Sequence, residues 1–103
     1  MDPIKDLKAE SDLAFDVQLQ KQNLLEACRA RQVMAHAGGL FLVDESLISF
    51  LKSLKDLDVT DTVLLDRNQN PIKVRVEELL DRSLERYQEA VNTYHRLYEN
   101  IRR

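Results

Sequence analysis

Between Val76 and Ile101, the residues Val76, Leu80, Ser83, Tyr87, Ala90, Tyr94, Leu97 and Ile101 recur at alternating steps of four and three. That period is the seam of a packed helix pair. A chain carrying it must provide a second long helix, from itself or from another molecule, and no other feature narrows the fold so far.

The internal candidate is the N-terminal third. Pro3 suits the first turn of a helix with Asp2 as its cap, because the missing N–H of proline would be unpaired there anyway. From Ile4 onward Leu7, Ala14, Val17, Leu24, Leu25, Cys28 and Ala35 fall on one side of a helical wheel, and no glycine or proline intervenes before Gly38 and Gly39. The pattern predicts a helix over residues 3–37, roughly 50 Å long at 1.5 Å per residue, stopped by glycine at its C-terminus. Asp6, Glu10, Asp12 and Asp16 lie toward its start and Arg29, Arg31 and His36 toward its end, as the helix macrodipole prefers. Gln18 and Lys21 interrupt the stripe, which predicts a looser middle with the lysine stem lying over apolar neighbours.

Residues 38–75 read as a compact excursion. Leu40 to Val43 is a short apolar run of extended type. Asp44 caps a second helix over about 45–56, whose apolar face is Leu47, Ile48, Leu51 and Leu54. Thr62 to Leu65 and Pro71 to Val74 flank Asp66-Arg67-Asn68-Gln69-Asn70, a β-hairpin over about 62–74. Two strands alone are marginal in water, so 40–43 is expected to add a third strand, or the second helix to cover the hairpin. The last helix is predicted over 76–102, with no side chain before it suited to cap it.

These elements predict an α+β, mainly α fold and a single domain over residues 1–103, with a stalk of two long antiparallel helices (3–37 and 76–102) tipped by a helix and β-hairpin knob (38–75). Equal excursions at the tip would place Cys28 opposite Ser83, Leu24 opposite Tyr87 and Val17 opposite Tyr94. Two helices cannot hide both sides of Tyr87, Tyr94 and Tyr98, nor Phe15 and Val33. The expected cover is a second copy of the chain, a homodimer with a four-helix interface formed by Tyr87, Ala90, Tyr94, Leu97, Tyr98 and Ile101 with Phe15 and Val17.

Charge argues against several function classes. The net charge is −3, and residues 1–37, 38–75 and 76–103 each carry five Lys/Arg against six Asp/Glu. Without a basic segment, duplex nucleic acid is a poor partner. No apolar run approaches a membrane span or a signal peptide core, and the single cysteine, Cys28, suits a reducing compartment, so a cytoplasmic location is expected.

The candidate chemical motifs have simpler structural readings. Asp66-x-Asn68-x-Asn70 with Glu77 has the outer spacing of an EF-hand loop, but Pro71 stands where that loop needs glycine. His36 and His95 are placed far apart by the antiparallel scheme, Cys28 reads as a small core residue, and Glu77, Glu78, Asp81 and Arg82 read as a solvated helix face. No catalytic, cofactor-binding or metal-binding set, and no small-molecule substrate, is expected. Tyr87, Tyr94 and Tyr98 with Arg86 and Arg96 could form a stacking platform for single strands, which makes a nucleic-acid-binding accessory protein the alternative to a protein-binding one.

Val63-Leu64-Leu65-Asp66-x-Asn68-x-Asn70-Pro71-Ile72, followed by Tyr87-x-Glu89-Ala90-x-Asn92-x-Tyr94 and preceded by Asp44-Glu45-Ser46-Leu47-Ile48, resembles small hypothetical proteins of large contractile-tailed bacteriophages and marine phage-like metagenomes. The similar region covers about the latter two-thirds of the chain. Lys73-Val74-Arg75 departs from the acidic cap of those relatives. The resemblance implies a phage setting and carries no activity with it.

Overall fold

The computed structural model describes the backbone of residues 3–102 and the side chains of residues 13–101. Its elements are α1 (Pro3–Arg31), β1 (Val33–His36), β2 (Gly39–Leu42), α2 (Glu45–Asp56), β3 (Asp61–Leu65), β4 (Pro71–Arg75) and α3 (Val76–Arg102). The fold is α+β and mainly helical, with two long antiparallel helices, a short helix and small antiparallel hairpins.

One boundary differs in a way that shifts everything attached to it. The first helix ends at Arg31, not at residue 37, and Val33–His36 pairs with Gly39–Leu42 in a hairpin of its own. Ala37 and Gly38 both have positive φ, 52° and 86°, the conformation of a two-residue turn whose twist matches its flanking strands. Gly38 is therefore a turn residue and not a helix stop. Burial alternates through the segment: Met34, His36, Gly39, Phe41 and Val43 are buried while Ala35, Leu40 and Leu42 are exposed. That period of two is a strand signal, and it had been masked by the chance fit of Ala35 to the helical stripe.

The anticipated third strand exists, but it pairs with β1. β1–β2 and β3–β4 are separate two-stranded sheets, joined end to side. The Arg67 N–H donates to the Leu40 carbonyl at 2.7 Å, and the Leu40 N–H donates to Asp66 Oδ2 at 3.1 Å. Asp66 also accepts from the N–H groups of Asn68 and Asn70 at 2.9 and 2.8 Å, so its carboxylate organises both its own loop and the neighbouring hairpin. These N–H donors, first that of Asn70, hold the Asp66 carboxyl below its ordinary value.

The helix starts follow from local chemistry. Asp44 Oδ1 accepts from the Leu47 N–H at 2.9 Å, capping α2. At α3 the strand β4 runs directly into the helix, and the Val76 N–H donates to the Thr60 carbonyl at 2.9 Å. The backbone carbonyl of the residue just before β3 does there what a capping side chain does elsewhere, which accounts for the missing cap.

The core is Met34, Phe41, Val43, Leu51, Val74, Val76, Leu79 and Leu80, with Leu47, Ile48, Leu54, Leu64, Ile72 and Tyr87 packed against it. All of it belongs to the knob and the first half of α3. Among the described residues the stalk adds only Cys28 and Ala90 to the buried apolar residues. The molecule measures 69 × 24 × 18 Å with a radius of gyration of 19.7 Å, against about 13 Å for a compact chain of this length.

The register of the stalk also differs. Cys28 Sγ lies 3.5 Å from the Ala90 carbonyl, and Lys21 Nζ sits 6.0 Å from the centre of the Tyr98 ring. Cys28 thus faces a residue one heptad beyond Ser83, its expected partner. Because α1 stops early and β1–β2 takes up the intervening residues, α1 is displaced outward by about 10 Å at 1.5 Å per residue. The end of α3 comes level with about residue 17, and the preceding part of α1 runs on with no α3 beside it.

A close approach ties the hairpins together. A Cβ on Gly39 would stand 2.7 Å from Ile72 Cγ1 and 3.2 Å from Asp66 Cβ. Gly39→Ala is expected to lower stability by about 1–3 kcal/mol in urea unfolding, the usual cost of overpacking. Gly38, with nothing within 4 Å of the same added atom, should accept Asn, which tolerates positive φ, with a smaller loss.

Candidate interaction surface

Where α1, α2 and α3 converge, Gln32 forms the joint. Its backbone N–H continues the helix by donating to the carbonyls of Cys28 and Arg29 at 3.2 and 3.1 Å, while its carbonyl accepts from the Val43 N–H at 2.8 Å and begins the sheet ladder. Its side-chain amide donates to the Val43 carbonyl at 2.9 Å. Beside it runs an open groove of about 340 Å³ lined by Leu25, Cys28, Glu45, Tyr87, Val91 and Tyr94. The Tyr87 hydroxyl donates to Glu45 Oε1 at 2.7 Å. That bond, with burial behind it, pushes the phenol above its ordinary value.

The residues expected to form an interface are distributed unevenly by this arrangement. Ala90 is buried against Cys28 inside the hairpin, and Tyr87 is half-buried and engaged with Glu45. Tyr94, Leu97, Tyr98 and Ile101 are half-buried along the outer part of α3. The Tyr94 and Tyr98 rings stack with centroids 6.0 Å apart, and Lys21 covers Tyr98. These contacts occupy ring faces that a stacking platform would need free.

On α1, Phe15 is 67% and Val17 41% exposed, and Leu13 and Leu19, which the sequence reading passed over, are 66% and 45% exposed. At about 100° per residue, Phe15 and Leu19 lie across the helix from Cys28 and Lys21, on the side turned from α3. The sequence carried a signal for them: positions 8, 12, 15, 19, 22 and 26 repeat at steps of four and three, a weaker seam hidden by polar residues at most of its positions.

A second uncovered apolar surface is the outer face of β1–β2, with exposed Leu40 and Leu42 paired to Ala35 and Val33. It follows from β1, whose residues the helical stripe assigns to the first helix, pairing with the expected strand at 40–43.

Two buried polar groups lie away from these surfaces. Ser83, fully buried, has no hydrogen-bond partner for its hydroxyl among the described residues. His36 Nδ1 lies 2.6 Å from Arg82 Nη1. Because a guanidinium can only donate, the imidazole accepts there and carries its proton on Nε2. Burial first, and the Arg82 charge second, hold the His36 pKa below its ordinary 6.5, with Glu78 opposing them.

The larger cavity, about 850 Å³, is open and lined by both signs of charge, including Lys55, Arg75, Asp58, Asp61, Glu77 and Glu78. Among the described residues no group of three or more His, Cys, Asp or Glu is placed to hold a metal ion, and no helix is long and apolar enough to cross a membrane. No protein-family model matches the chain, and neither the curated proteins nor the solved structures include a significant match to it.

His36 makes stability pH-dependent with a definite sign. A histidine whose folded pKa lies below its unfolded one favours folding above the unfolded value, and that contribution is lost as pH falls from about 6.5 toward the folded value. The melting temperature should therefore decline between neutral pH and about pH 5.5. His36→Gln should flatten that decline in calorimetry, whatever it does to stability at neutral pH.

Proposed function

We propose that this chain is a non-enzymatic protein that works by self-association through the stalk, leaving the knob to engage another protein. The observation that carries this reading is the apolar surface of α1. Leu13, Phe15, Val17 and Leu19 are all exposed, on two sides of one helix, while the half-buried edge of α3 from Tyr94 to Ile101 ends level with about Val17. At about 25 cal/mol per Å² of apolar surface removed from water, covering such residues in both copies offers several kcal/mol toward association. Among the described residues, Cys28 and Ala90 are the fully buried apolar pair of the stalk.

The knob supports the second half of the reading. Its own core is closed, yet β1–β2 leaves Leu40 and Leu42 exposed, a small apolar face of the kind that protein partners cover. The resemblance to proteins of contractile-tailed phages would place such an accessory role in infection or assembly.

Sedimentation velocity at tens of micromolar is expected to show a dimer. A strict monomer across that range would contradict the reading. Leu40→Lys on the knob should leave the dimer intact, because that face belongs to the other surface.

A further inference from the structure

The surface left open on α1 has a shape and a charge pattern of its own. α3 and the stretch of α1 before residue 17 together account for about 60 Å at 1.5 Å per residue, most of the 69 Å long axis. The helix from Pro3 to about residue 16 therefore extends past α3 as a single helix of roughly fourteen residues, a length at which an isolated helix is marginal in water. A neighbour packed along such a helix stabilises it.

Resting on self-association as the function, we propose that the occupant is a second copy seated tail to tail. The two α1 helices pack antiparallel through the face turned from α3, around a two-fold axis level with Val17, each overhang lies along residues 18–31 of the other copy's α1, and the knobs stand at opposite ends. Two independent features of the chain fit this arrangement.

The first is self-complementarity. Around an axis at Val17, Phe15 of one copy meets Leu19 of the other, and the reverse. Position 12 comes level with Gln22 of the other copy, and position 8, a lysine, with Glu26. Positions 8, 12, 15, 19, 22 and 26 form one helical seam, which thus pairs with itself as an isologous interface requires. Its two large apolar residues sit beside the axis and opposite charges at its ends.

The second is charge. Residues 3–16 carry Asp6, Glu10, Asp12 and Asp16 against Lys5 and Lys8. The tail-to-tail arrangement places that acidic segment along residues 18–31 of the other α1, which carry Lys21, Arg29 and Arg31 against Glu26. A side-by-side dimer with both knobs at one end would set the acidic segment against itself, and like charges at that spacing repel.

The test combines solution scattering with a charge exchange. Small-angle scattering of the dimer should give a longest dimension of about 95 Å, since only the overhangs overlap, whereas a side-by-side pair stays near the 69 Å of one protomer. Phe15→Asp should weaken dimerisation about tenfold or more while the NMR fingerprint of the knob is unchanged, because Phe15 is already 67% exposed in the protomer. Lys8→Glu should weaken the dimer, and Lys8→Glu combined with Glu26→Lys should restore it, a rescue specific to the antiparallel register. A dimer near 70 Å long, or one without that rescue, would overturn the tail-to-tail arrangement and leave self-association standing. A monomer at all concentrations would overturn both.

Discussion

The joint at Gln32 governs the shape of this molecule. One residue there closes the last turn of α1 through its N–H, opens the β1–β2 ladder through its carbonyl, and clamps Val43 a second time through its side-chain amide. A buried amide of this kind is costly unless both its ends are satisfied, and the Cys28 thiol, 3.9 Å from Gln32 Oε1, is the neighbour on the other side. By ending the helix at this point and not six residues later, the joint sets which residues of α1 face α3. The heptad offset between Cys28 and its expected partner, and with it the extension of α1 past the end of α3, follow from that single change of direction.

Energetically the chain divides in two. The knob has a closed core around Leu51, Leu79 and Val43, all at or below 2% exposure, and two hairpins locked by Asp66, Gly39 and Ile72. The stalk has the narrow Cys28–Ala90 contact, a stacked tyrosine pair and a lysine laid over it. Most of the stability of a helix in a protein comes from packing of its apolar face, and from residue 13 onward Cys28 is the one apolar side chain that α1 buries fully. Structure and proposed function meet here: Leu13, Phe15, Val17 and Leu19, left exposed along α1, are the surface that the proposed second copy would cover.

Much of the architecture was legible in the amino-acid order, since periodicity reports directly on which side of an element meets apolar neighbours. The strict spacing from Val76 to Ile101, Asp44 as a cap, and the Asn-rich turn between β3 and β4 each state a local conformation that tertiary packing did not override. The region around Ala37 was ambiguous for a physical reason. Ala35 and Cys28 share a helical face while Met34, His36, Phe41 and Val43 alternate as in a strand, and the choice between those periods is made by Gln32 and by the close approach at Gly39, neither visible in a one-dimensional pattern. The residues expected at an interface differ in burial within the single chain. Phe15 and Val17 are exposed as the excess of apolar side chains required. Ala90, identified by spacing alone, is consumed inside the hairpin, since small residues at a seam serve the closest contact available.

The central claim is that the first half of α1 is ordered by a second copy of the chain and not by its own α3. Backbone hydrogen exchange, followed along α1 as a function of protein concentration, addresses that most directly. Amides before about residue 17 should exchange rapidly at high dilution and become protected as the dimer forms, while those from Leu24 to Arg31 stay protected throughout. Equal protection of both halves at every concentration, or none in the first half even when concentrated, would contradict it.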